Sequence, residues 1–103
     1  LDFTIMSEEV IPEELKSIID SRKTEPFMLT YSDQNNLYVC KGYGKQNTGG
    51  YSITVNELYL TDDAIYVNTS LLGPEKGENE KSAETFPYIV IKTEKLDKTV
   101  IFE

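Results

Sequence analysis

The sequence predicts an α+β domain that is mostly β: one N-terminal helix packed on an antiparallel sheet, or on a partly rolled barrel or sandwich, of about six strands. Three observations predict it. Only one segment has a helical period, with Ile11, Leu15, Ile18, Ile19 and Arg22 at i, i+4, i+7, i+8 and i+11. Short apolar or alternating runs recur through the rest of the chain, separated by clusters of Asp, Asn, Gly and Pro. No apolar run approaches the ~18 residues a bilayer span needs.

The helix is expected from about Pro12 to Arg22. Pro12 suits a first helical position, Glu13 and Glu14 complement the dipole at one end, and Arg22 and Lys23 at the other. Phe27–Ser32 and Leu37–Lys41 flank the turn-rich quartet Asp33-Gln34-Asn35-Asn36 and read as a hairpin. Tyr51, Ile53 and Val55 point one way, while Leu58 and Leu60 have the opposite parity. A strand cannot change faces without cause, so a bulge or bend is expected near Asn56-Glu57. Thr61-Asp62-Asp63 turns the chain into the alternating strand Ile65, Val67, Thr69, Leu71. Gly73–Thr85, with Glu75, Glu78, Glu80, Glu84 and a single alanine, reads as a long exposed loop. Phe86–Lys92 is apolar on both parities, as in a central strand covered on both faces. Leu96-Asp97-Lys98 turns, and Thr99–Phe102 closes the sheet.

A length of 103 residues fits one domain, residues 1–103, large enough to bury a core without disulfides or metals. The formal charge of −8 and the lack of a basic stripe argue against nucleic acid and against anionic membranes, and suit solubility or a basic partner surface. The single cysteine, Cys40, among Leu37, Tyr38 and Val39, is expected to be a buried core thiol. The first residue is Leu1 rather than Met, so the chain is expected to be processed or cut from a longer product.

Catalytic chemistry finds little to build on. With no histidine, Ser-His-Asp and Cys-His arrangements and histidine–zinc sites are excluded, and one cysteine makes no thiolate cluster. Serine and threonine need a nearby base, so no hydrolase activity is expected, and neither a cofactor nor a metal. Gly44-Lys45-Gln46-Asn47-Thr48-Gly49 has phosphate-loop spacing, but Gly50-Tyr51 follows instead of Lys-Ser, and a strand follows instead of a helix. Asp33-Gln34-Asn35-Asn36 lacks the ligand spacing of an EF-hand. Asn68-Thr69-Ser70 matches a glycosylation sequon inside an expected strand.

The informative stretch is Gly42 to Tyr51, with four glycines in ten residues. Gly49-Gly50 permits positive φ and lets another surface approach the main chain. A shaped glycine-rich loop on a β-scaffold is either a permissive turn or a recognition element. The candidate binding residues are Lys45, Asn47, Thr48, Gly49, Gly50, Tyr51, Pro87 and Tyr88. Tyr43, Tyr51 and Tyr88 could instead gather around a small ligand or a cell-wall glycan.

The pattern Leu37-Tyr38-Val39 … Gly44-Lys45-Gln46-Asn47-Thr48-Gly49-Gly50-Tyr51-Ser52-Ile53-Thr54-Val55 … Gly73-Pro74 … Phe86-Pro87-Tyr88-Ile89-Val90-Ile91-Lys92 resembles the PrcB family, the C-terminal domain of bacterial protease-complex subunits. The resemblance implies a non-catalytic partner that associates with and stabilises a secreted or surface protease, and hence an extracytoplasmic location. A second similarity is to chagasin-like cysteine-protease inhibitors. Asn47-Thr48-Gly49-Gly50-Tyr51 is similar to their Thr-Thr-Gly-Tyr/Phe loop, and Phe86-Pro87-Tyr88 stands where they carry Arg-Pro-Trp. That similarity implies an inhibitor offering a wedge of loop backbone; the Arg and Trp are absent here and Gly50 is inserted.

Overall fold

A computed structural model describes residues 1–74 and 83–103. Among them are one α-helix, α1 (Glu13–Arg22), and seven strands: β1 (Thr4–Ile5), β2 (Pro26–Ser32), β3 (Asn36–Tyr43), β4 (Ser52–Leu60), β5 (Ala64–Leu72), β6 (Tyr88–Glu94) and β7 (Thr99–Phe102). A 3-10 turn at Glu8–Val10 leads into the helix. Four strands form one sheet in the order β1-β6-β3-β2, and three form another in the order β4-β5-β7.

The strand period of two sorts the apolar residues into two cores, one on each face of the four-stranded sheet. On one face, Ile11, Leu15 and Ile19 pack on Phe27, Tyr38, Cys40 and Val90. On the other, Leu37, Val39, Ile89 and Ile91 pack on Ile65 and Val67 of the second sheet. The result is three layers: helix, sheet, sheet. β3 and β6 serve both cores, which is why Leu37–Cys40 and Ile89–Ile91 are buried without alternation. Leu15, Ile19 and Ile65 are wholly buried, each stabilising by roughly 1.5–3 kcal/mol relative to exposure. Cys40 is buried too, and desolvation pushes its thiol up to about 12.

The bulge expected at Asn56-Glu57 is present: Val55 pairs with Thr69, Glu57 with Asn68, and Asn56 is the extra residue. It returns Leu58 to the face of Ile53 and Val55, so all three reach the second core. Asp33 closes the β2–β3 hairpin by accepting the N–H groups of Asn35 (2.9 Å) and Asn36 (2.8 Å). Those bonds hold its carboxyl below the ordinary range.

Several expectations need correction. Pro12 is the N-cap rather than the first helical residue: its ψ of 138° is extended, and its carbonyl accepts the first helical bond, from Lys16 N–H at 2.9 Å. β3 runs on through Gly42 and Tyr43, two residues into the glycine-rich stretch. Phe86 and Pro87 precede β6, since proline has no N–H to give a ladder. β1 was not foreseen; two residues are too few for a period. The sheets are not wholly antiparallel, because β5 and β7 pair in parallel. The Lys98 ammonium donates to the carbonyls of Thr61 and Asp62, both at 2.8 Å. This ties the start of β7 beside the start of β5, and the two strands then run the same way. Of the expected 73–85 loop, residues 75–82, with Glu75, Glu78 and Glu80, lie outside the described residues.

Candidate functional site

The loop from Gly44 to Tyr51 is held by two neighbouring segments. Lys45 N–H donates to Thr24 carbonyl at 3.3 Å, tying its start to the turn between α1 and β2. Gln46 and Thr85 exchange both main-chain bonds, at 2.8 and 3.0 Å, forming an isolated antiparallel bridge. Thr85 hydroxyl donates to Thr48 carbonyl at 2.7 Å. Gln46 side-chain amide also donates to Tyr43 carbonyl at 3.3 Å. Just before the loop, Tyr43 N–H donates to Pro87 carbonyl at 3.1 Å, and Tyr43 hydroxyl bonds Thr69 on β5.

The glycines divide by what the fold asks of them. At Gly42 a Cβ would stand 2.1 Å from the Phe27 ring, so glycine is needed for close packing of β3 under β2. Gly44 (φ +77°) and Gly50 (φ +85°) hold left-handed backbone, and their Cβ positions meet Pro26 and Pro74, each at 2.9 Å. Gly49 is different. Its φ is not positive, and no described atom lies within 4 Å of where a Cβ would be. Of the pair Gly49-Gly50, read as permitting positive φ, Gly50 adopts it and Gly49 does not.

The structure brings most of the sequence-derived candidates together. Lys45, Asn47, Thr48, Gly49, Gly50 and Tyr51 lie on the loop, and Pro87 on the segment that frames it. Lys45 ammonium stands 3.7 Å from Glu84 carboxylate, an exposed pair of little energetic weight. Tyr51 is half-buried, its ring edge near Gly73. Tyr88 belongs to β6, packs with the helix-side core, and with its neighbour Pro87 lines a cavity of about 250 Å³ together with Met6, Glu8, Ile11, Phe86 and Val90. Burial pushes the Tyr88 phenol up. Tyr43 reaches Thr69 on β5 while Tyr88 packs with the helix-side core, so these two tyrosines lie toward opposite faces of the first sheet.

Sequence reasoning had Gln46 and Pro74 within the family pattern but missed that, with Thr85, they frame the loop. Gln46, Thr85 and Pro74 shape the loop, yet they show no periodicity and sit far apart in the chain. It also missed Tyr59 and Tyr66, which stack at 5.0 Å on the outer face of the second sheet; the pairing of exposed Tyr59 with half-buried Tyr66 depends on the bulge register.

The sequence profile described as PrcB C-terminal matches residues 37–94, more than half of the chain. The chain belongs to the PrcB C-terminal family. The matched stretch runs from β3 to the end of β6 and includes both the glycine loop and the Thr85–Pro87 segment that frames it. It leaves α1, β1, β2 and β7 outside, so the PrcB profile covers the two central strands of the first sheet and most of the second. No curated protein and no solved structure matches the chain.

Proposed function

We propose that this is a non-catalytic protein-binding domain that associates with an exported or surface protease and stabilises it through the loop at 44–51, with Pro87 beside it. The PrcB C-terminal family suggests a protease-complex-associated domain. The observation that carries the loop assignment is Gly49: no described residue requires glycine there, on a loop whose backbone is tied down at Lys45, Gln46 and Thr48. A partner approaching the main chain at Gly49 would require it. The absence of histidine from the sequence supports a role without catalysis. With such a partner, the domain works outside the cytoplasm.

The test mixes the purified domain with the purified exported proteases of its host and follows protease half-life and initial peptide hydrolysis. One protease is expected to survive longer with its initial rate unchanged; a loop-wedge inhibitor would lower that rate instead. Gly49→Val is expected to weaken the effect about tenfold without lowering the melting temperature, because the added side chain meets no described residue. Thr48→Ala or Lys45→Ala should also weaken it. Unchanged half-lives for every protease, or Gly49→Val, Thr48→Ala and Lys45→Ala all indistinguishable from the native chain, would overturn the proposal.

A further inference from the structure

The two sheets have four edges, and three of them are guarded. β1 is only two residues long, β4 is bulged at Asn56 and carries Glu57, and β7 has four residues between Lys98 and Glu103. β2 is longer, and its devices are confined to its ends: Pro26 at its first position, and Glu25 and Asp33 just outside it. It runs seven residues, Pro-Phe-Met-Leu-Thr-Tyr-Ser, with no charge, and its register against β3 is unbroken from Pro26–Tyr43 to Ser32–Leu37. Met28 is 52% exposed on it.

The free hydrogen-bonding groups of β2 can be assigned. Asp33 N–H donates to Asn36 carbonyl at 3.0 Å, which makes that pair a hydrogen-bonded one. Alternation along the ladder makes Tyr31–Tyr38, Leu29–Cys40 and Phe27–Gly42 bonded pairs as well. Met28, Thr30 and Ser32 are therefore left with N–H and C=O turned away from β3. Among the described residues no other segment bonds to them. At the N-terminal end of this edge lies a cavity of about 360 Å³ lined by Arg22, Thr24, Glu25, Pro26, Phe27 and Met28. The glycine loop abuts the same end, with Gly44 against Pro26 and Lys45 bonded to Thr24.

We infer that β2 is a docking edge, and that its occupant is an extended segment of the protease partner, added as a fifth strand through Met28, Thr30 and Ser32, with one side chain in the cavity beside Pro26. This inference rests on the protease reading above. Main-chain bonds supply the affinity in this mode and the pocket supplies selectivity. Charge favours a partner segment over a second copy. Glu25 and Asp33 bracket β2, so two copies paired antiparallel through β2 would set Glu25 of each near Asp33 of the other, between chains of formal charge −8. A segment uncharged along its middle and carrying Lys or Arg at its ends fits both the apolar edge and its acidic ends.

Thr30→Pro removes one outward N–H without breaking the β2–β3 ladder, and Thr30→Ala removes only the side chain. With the protease identified by half-life, Thr30→Pro is expected to weaken binding about tenfold or more and Thr30→Ala less than about twofold. In the unaltered chain, amide exchange gives a readout independent of any variant: Met28, Thr30 and Ser32 exchange fast alone and become protected on adding the protease. A synthetic seven-residue peptide of alternating Thr and Val with terminal lysines, tested with and without N-methylation, probes the edge by itself. Binding of a protease with these three amides still exposed overturns the edge and leaves the protease reading standing. Protection by the peptide, but by no exported protease, keeps the edge and removes that partner. A dimer in sedimentation that Thr30→Pro dissolves replaces the partner segment by a second copy and overturns the chosen occupant.

Discussion

Gly42, Gly44, Gly49 and Gly50 look alike in the sequence and have three different roles. Gly42 makes room for Phe27, Gly44 and Gly50 hold left-handed backbone, and Gly49 meets no described residue. Gly42→Val should therefore cost about 2–3 kcal/mol, read as a lower urea midpoint with an unchanged slope, because a ring stands where the side chain must go. Gly49→Val should leave that midpoint within about 0.5 kcal/mol of the native value. Cys40 adds a pH dependence. Its thiol is raised from an ordinary 9.0 to about 12 by burial, so the folded state keeps the neutral form that the unfolded state gives up first. The contribution is complete below pH 9 and is lost between pH 9 and about 12. Stability measured against pH should fall faster in this window for the native chain than for Cys40→Ala, and Cys40 should resist alkylation at pH 8 until denaturant is added. Rapid alkylation of the folded chain at pH 8 would contradict it.

At the scale of the element, β4 shows how much a parity argument can deliver. Ile53 and Val55 lie on one parity, Leu58 and Leu60 on the other, and an extra residue reconciles them; Asn56 is that residue. Its amide donates to Asn68 and Ser70, both at 2.7 Å, so the bulge is also bonded across the strand pair. Deleting Asn56 should regularise β4, since Val55, Leu58 and Leu60 would then alternate with Glu57 and Tyr59 on one uninterrupted ladder. The expected outcome is a folded chain with unchanged circular dichroism, destabilised by only about 1 kcal/mol through the lost side-chain bonds. Inserting an alanine between Tyr66 and Val67 of unbulged β5 should do far more damage, because it turns Val67 out of the second core. Equal losses for the two variants would show that the bulge is not what sets the faces of β4.

At the scale of the molecule, the first sheet is the shared wall of two cores, and the second core is closed by the parallel strand β7. Val100 and Phe102 are the residues β7 contributes to it, packed near Ile65 and Val67. Replacing both by alanine should cost roughly 2–4 kcal/mol, discounted from full burial because both are half-exposed, and lower the melting temperature by about 10 °C or more. The helix-side core should be less affected, so amide protection at Leu15 and Ile19 should persist closer to the global transition than protection in β5. A change below about 0.5 kcal/mol would mean that β7 is peripheral to the second core.

Local chemistry determined a good deal by itself. The 3.6-residue period marks α1, the alternation of Ile65, Val67 and Thr69 marks β5, the apolar run of Ile89–Ile91 marks a central strand, and the parity break marks the bulge. These follow from period and turn chemistry, which act over a few residues. The PrcB resemblance was legible for the same reason: its residues lie in one stretch from 37 to 94. What only the tertiary structure decided are matters of pairing between distant segments. That β7 runs parallel to β5, that Thr85 braces Thr48, that Gly50 meets Pro74 while Gly49 meets no described residue, and that β2 is an edge among the described strands all depend on which strand lies beside which. No periodicity encodes a neighbour forty residues away; packing of the two cores against one sheet selects it.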